Sequence, residues 1–207
     1  SAEYDSSGWS STGRPYKQSG INIPQNYISV FARDAEYYMA VVYLGVNKET
    51  YAVLKNGADS IYSPTGSIEC AAGNGRGIWL VGTDSSDSGA EVNLRLISYS
   101  GELLLTVNLE NIAHFDDPVY TIRCTADAVY LKSASKIVGI DSTGKKVSEF
   151  KLENTNSGLA VGSDGKAYLA YYTDKGTQVN LIDGTVLKPA FTLQEADGRI
   201  YGGNAEF

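Results

Sequence analysis

The chain has 207 residues, 43% of them apolar and 20% charged, with a formal charge of −7. That is enough apolar material for a packed core, which excludes a disordered chain. The scattered lysines and arginines form no stripe that would neutralise phosphates, so nucleic acid is not an expected partner. No apolar run approaches the roughly 20 residues of a membrane-spanning helix.

In chain order the first recognisable phrase is GWSSTG at 8–13, which returns as GIDSTG at 139–144. Between them come short runs rich in Tyr, Val, Ile and Leu: NYISVF, EYYMAVVYL and ETYAVL; then SIECAA, GIWLVGT, EVNLRLI and ELLLTVNL; then YTIRCTA, AVYLKS, KIVGI and KVSEFKL. These are strand-forming compositions. The stretch FARDAEYYMAVVYLG has the length of an amphipathic helix, but its β-branched and aromatic content predicts strand. The last unit is GLAVGSDGKAYLAYYTDKGTQVNLIDGTVLKPAFTL, whose four strands are separated by GSDG, TDKG and DG. Gly, Asp and Asn stand at such breaks because tight hairpins need positive φ or a side chain that bonds the backbone.

Taking the last apolar residue before each third turn gives Leu54, Ile97, Ile140 and Ile182, so the sequence repeats about every 43 residues. With strands lettered A to D, the units span 26–66, 67–110, 119–154 and 158–194, and 8–24 and 198–207 read as partial units. Four-stranded units at this spacing predict an all-β fold of β-propeller blades, since a blade alone leaves two apolar faces bare and must stack on neighbours. One propeller domain over 1–207 is expected. It is either four complete blades with terminal strands of a fifth or the leading part of a larger ring.

The blade GLAVGSDGKAYLAYYTDKGTQVNLIDGTVL resembles those of NHL-like and quinoprotein-like propellers, in which an A strand, an Asp-Gly turn and an apolar B strand follow in that order. The opening AEYDSSGW with its tyrosine-rich blades is similar to the N-terminal propeller of extracellular solute-binding lipoproteins of Gram-positive gut bacteria. That resemblance implies a lipid anchor before processing, and it carries no functional residue over to this chain. Abundant Tyr (15) and Gly (22) beside scarce Met, His and Cys fit an extracellular or cell-surface β protein, and the start at Ser1 reads as processed.

Candidate chemistry is sparse. The single histidine, His114, stands with Asp116 and Asp117 in ENIAHFDDPV, the longest D-to-A link, and offers a divalent-cation or acid–base set against the plainer reading of a solvated loop. TDSSDSGAE offers Asp84, Asp87 and Glu91, but the twelfth position of an EF-hand count falls on Arg95 instead of Glu, so an exposed acidic turn is the plainer reading. GNGRG lacks a following helix and reads as a turn. No G-x-S-x-G occurs, and His114 alone would have to serve any serine triad. Cys70 and Cys124 occupy equivalent A-strand positions one blade apart, which predicts free, buried thiols. Tyr37, Tyr38, Tyr130 and Tyr168 fall within B strands and are expected to pack between sheets. Tyr43, Tyr62, Tyr99 and Tyr172, near strand ends, could present amphipathic rings to a sugar or peptide, though that is not the plainer reading of them.

These readings predict a non-enzymatic binding domain with no cofactor, no resident metal and no catalytic residue. Its ligand-binding set is His114, Asp116, Asp117, Asp84, Asp87, Tyr43, Tyr172 and Asp174. A protein, peptide or glycan partner is expected on the face carrying the D-to-A and B-to-C loops, with the acid balance favouring neutral or cationic ligands. The alternatives are a carboxylate- and cation-dependent hydrolase or lyase at the propeller mouth, and a structural spacer fused to a solute-binding domain.

Overall fold

The computed structural model describes residues 14–18, 21–33, 36–44, 50–57, 59–86, 89–153, 156–173 and 176–193. The chain is all-β and divides into two compact units, Ser1–Glu110 and Asn111–Phe207. Each contains two antiparallel sheets, and the sheets fit propeller blades.

In the first unit, one sheet is ordered β1 (Arg14–Gln18), β2 (Ile21–Arg33), β3 (Glu36–Leu44), β4 (Thr50–Asn56) and β5 (Asp59–Tyr62). The second is ordered β6 (Cys70–Asn74), β7 (Gly77–Ser86), β8 (Gly89–Ile97) and β9 (Leu103–Asn108). In the second unit the sheets are β10 (Thr121–Cys124), β11 (Ala128–Lys132), β12 (Lys136–Asp141) and β13 (Lys146–Lys151), then β14 (Ser157–Val161), β15 (Ala167–Thr173), β16 (Gly176–Asp183) and β17 (Val186–Leu193). Within each sheet every strand pairs with its sequence neighbours, the meander that short hairpin turns dictate.

The repeat markers land where a periodic core requires. Leu54, Ile97, Ile140 and Ile182 lie on the C strands β4, β8, β12 and β16, and all are buried. A glycine with positive φ follows each: Gly57, Gly101, Gly144 and Gly184, at 57°, 92°, 87° and 58°. At these positions a β-carbon would be strained, which is why the C-to-D breaks carry glycine. In the third sheet Asp141 completes the turn by accepting from the backbone N–H groups of Thr143 (2.8 Å) and Lys145 (3.0 Å).

Strand alternation sends one face of each sheet toward its partner in the unit. Tyr38, Ala40 and Leu54 of the first sheet meet Ile68, Ala71, Ile78, Leu80 and Ile97 in one buried cluster. Ala128, Tyr130 and Ile137 of the third sheet meet Leu159, Ala167, Leu169 and Ile182 of the fourth in another. Backbone approach between sheets runs chiefly through their A strands, β2 with β6 and β10 with β14. Within each unit the paired sheets therefore come together at their A strands, the geometry of adjacent blades. The outer D strands expose Leu103, Leu104, Val147, Val186 and Phe191. Pro189 on β17, and lysines on β13 and β17, blunt these edges against pairing with another chain.

Several expectations need revision. Residues 8–13 lie outside the described residues, but Arg14–Gln18 forms no part of an earlier sheet. It folds back on Ile21–Gln25 and pairs the free edge of the long A strand, so the first sheet has five strands. Tyr62 and Tyr99 are partly buried against the first core cluster; Tyr99 stacks edge-on to Tyr38 with centroids 5.0 Å apart and donates its hydroxyl to the Asn74 carbonyl. Neither cysteine is joined in a disulfide, but only Cys70 is buried, Cys124 being half-exposed.

Candidate functional site

The candidate residues that the structure describes share a topological position. Each lies at the end of its own sheet where the A strand begins, the B strand finishes and the C strand begins. Tyr43 is the penultimate residue of β3, opposite Gln25 and Tyr51. Asp84 is late in β7, opposite Glu91, and Tyr172 is the penultimate residue of β15. His114, Asp116 and Asp117 lie in the link entering β10. Asp87 and Asp174 lie outside the described residues. No group of three or more His, Cys, Asp or Glu among the described residues is placed to hold a metal ion.

At the second sheet, the described residues of the acidic stretch belong to strands. β7 runs to Ser86 and β8 starts at Gly89, so Asp84 sits within the ladder. Its Oδ2 accepts from Asn93 Nδ2 (2.8 Å) and forms an ion pair with Arg95, while Oδ1 accepts from Thr65 Oγ1 (3.1 Å). Arg95 stands opposite Leu80 and Asn93 opposite Gly82, so period-two alternation puts both on the face that carries Asp84. Gly82 makes the reach possible, since a β-carbon there would meet the Ser67 carbonyl and crowd Arg95 at 3.4 Å. With Arg95 only 5% exposed, this carboxylate serves as the counter-ion of a buried guanidinium.

At the third sheet, the link from β9 to β10 opens with a short 3-10 turn (Leu109–Asn111) capped by Asn108 Oδ1 on the Glu110 N–H, and buries Ala113 and Val119. Two lysines flanking the B-to-C turn hold it. Lys136 Nζ donates to the His114 carbonyl and lies 5.1 Å from the Phe115 ring centroid. It also meets Glu149 at 3.3 Å, and Glu149 meets Lys146 at 2.6 Å. The Lys146 hydrogen bond, reinforced by Lys136, holds the Glu149 carboxyl below the usual carboxylate range. Lys132 Nζ donates to the Tyr120 hydroxyl and sits 4.6 Å from that ring's centroid. His114 Nε2 is 3.3 Å from Asp116 Oδ1, with both side chains largely exposed. The structure thus unites His114 with Asp116 and leaves both open to solvent on an anchored loop.

At the fourth sheet, Tyr172 is half-buried and its N–H donates to the Asn156 carbonyl at 3.1 Å. Burial, with Glu153 nearby, raises the pKa of the neighbouring Tyr171.

Sequence reasoning missed Arg95, Lys132, Lys136, Phe115 and Tyr120. For Lys132 a signal existed, because it ends the otherwise apolar B strand AVYLK at the position that Val81 and Ala170 hold in the second and fourth sheets.

No protein-family model matches the chain, and no curated protein is significantly similar to it. Among solved structures, a protein of unknown function from Bacteroides caccae is similar with a TM-score of 0.53 at 14% identity, covering 79% of this chain and 59% of that one. A protein from Bacteroides fragilis NCTC 9343 with a provisional 6-phosphogluconolactonase assignment gives a TM-score of 0.41 at 13% identity, covering 86% of this chain and 55% of that one. This chain therefore spans less than two thirds of either. The first likeness concerns fold alone, and the second carries no argument.

Proposed function

We propose that this chain is a non-enzymatic, extracytoplasmic binding domain of the propeller type, which meets a protein, peptide or glycan at the D-to-A and B-to-C ends of its sheets. The observation that carries this reading is the link preceding β10. Lys136 fixes its backbone at His114 and Lys132 holds Tyr120, while His114, Asp116 and Tyr120 present polar and aromatic surface to solvent. A fixed loop displaying such groups binds at low entropic cost, because little is left to order on association. Asp84, in contrast, is occupied by Arg95 and supports its sheet.

The test is a glycan and peptide array probed with the intact chain. The double variant His114→Ala, Asp116→Ala is expected to lose its hits, while Asp127→Ala, on the exposed A-to-B turn at the opposite end of the same sheet, keeps them. Loss in the Asp127 variant alone would place binding at the wrong end and overturn the proposal.

A further inference from the structure

Lys132 is 2% exposed. It pairs with Ile137, three residues before the marker Ile140. The same register position is Val81 in the second sheet, opposite Leu94, and Ala170 in the fourth, opposite Val179; both are buried. One repeat therefore places an ammonium group where the second and fourth sheets place a small apolar side chain and the first sheet, opposite Tyr51, places Tyr43. Among the described residues its polar partners are the Tyr120 hydroxyl and, at 3.5 Å, the Ser133 carbonyl, and no carboxylate lies within ion-pair distance. A lysine ammonium has three donors, and burying it without a counter-ion works against the fold. The substitution is therefore explained poorly by packing and well by a ligand that supplies a negative charge which no described residue supplies.

Tyr120, 53% exposed, is the way in. Its hydroxyl accepts from Lys132, which leaves the phenolic proton free to donate to an incoming oxygen. One face of the ring lies under the ammonium. The exposed remainder offers an apolar platform of the kind on which the C–H face of a sugar rests.

We propose that Lys132 and Tyr120 form an oxyanion subsite that takes the carboxylate of an acidic saccharide, with the sugar ring against Tyr120. This rests on the reading of the D-to-A end as a binding surface and names the ligand chemistry there. The net charge of −7 does not oppose it, since at physiological salt, fields fade within about 8 Å and Lys132 acts at contact.

The probes are trigalacturonate, its methyl ester, and one peptide prepared with a free and with an amidated C-terminus. They are titrated by calorimetry into the intact chain and into Lys132→Met and Tyr120→Phe. Trigalacturonate should bind wild type, and the ester about 10- to 100-fold more weakly, as expected for loss of a charge-assisted hydrogen bond. Lys132→Met should lose that discrimination while its Tm equals or exceeds that of wild type, since apolar replacement of an uncompensated buried charge is neutral or stabilising. Tyr120→Phe should fold normally and bind several-fold more weakly. Equal binding of acid and ester, discrimination that survives Lys132→Met, or preference for the free-carboxylate peptide would each overturn the proposal. A lower Tm in Lys132→Met without effect on binding would assign the lysine to the fold alone. Array hits confined to neutral glycans and lost in His114→Ala, Asp116→Ala would sink this subsite and leave the broader reading standing, whereas hits that this double variant keeps and Asp127→Ala loses would overturn the broader reading and the subsite with it.

Discussion

Replacing Asp84 by alanine removes the counter-ion from Arg95, whose side chain is 5% exposed, while Asp84 itself is 22% exposed. Removing one partner of a buried ion pair costs about 3–5 kcal/mol, because the remaining charge is stranded. Water can enter beside the vacated carboxylate, so the lower end, about 3 kcal/mol, applies. The hydrogen bonds from Asn93 and Thr65 add about 1 kcal/mol between them. With a urea m-value of about 2 kcal/mol/M, the midpoint should fall by about 2 M, followed by circular dichroism. The double variant Asp84→Ala, Arg95→Met should recover part of the loss, since it no longer buries an unpaired guanidinium. An Asp84→Ala midpoint within 0.5 M of wild type, or a double variant weaker than the single, would refute the view that this carboxylate serves the fold.

Two further substitutions test the third sheet. Gly139→Ala would drive a β-carbon against Ser148 Oγ and to 2.9 Å from Tyr130 Cε1, inside a core cluster, at about 1–3 kcal/mol; Gly75→Ala, which meets nothing within 4 Å, should stay within about 0.5 kcal/mol in the same melts. The Asp141 carboxyl is held below the usual range, first by the Thr143 hydroxyl and then by the Lys145 and Thr143 N–H groups. Its folded pKa lies below the unfolded one, so its contribution is complete above the unfolded pKa, about 4, and is lost as pH falls through the folded value. Asp141→Asn should therefore be less stable at pH 7 and lose less on acidification, and parallel urea-midpoint curves between about pH 7 and 3 would contradict this assignment.

The architecture was legible because its physics is local and periodic. Leu54, Ile97, Ile140 and Ile182 recur at one spacing because each must fill the same place in a C strand, and the glycines after them recur because the hairpin demands positive φ. The segment 36–44, which has helical length, forms strand β3 because Tyr38 and Ala40 face a neighbouring sheet at period two. What escaped the sequence was pairing that depends on register. Asp84 and Arg95 are eleven positions apart and meet only because a long hairpin brings β7 against β8. Tyr120 and Lys132 meet across a different hairpin, and nothing in the spacing of a lysine declares it buried. The strand Arg14–Gln18 follows a phrase that matches a C-to-D break and so resembles the tail of a preceding unit, whereas its pairing follows the nearest free edge, that of β2.

Hydrogen–deuterium exchange of the intact chain, with and without a ligand taken from the array, tests the central claim most directly. The account predicts new protection in residues 112–120 and 133–136, with the turns at 125–127 and 142–145 unchanged. Protection confined to those opposite turns, or spread evenly over both ends of the third sheet, would contradict it.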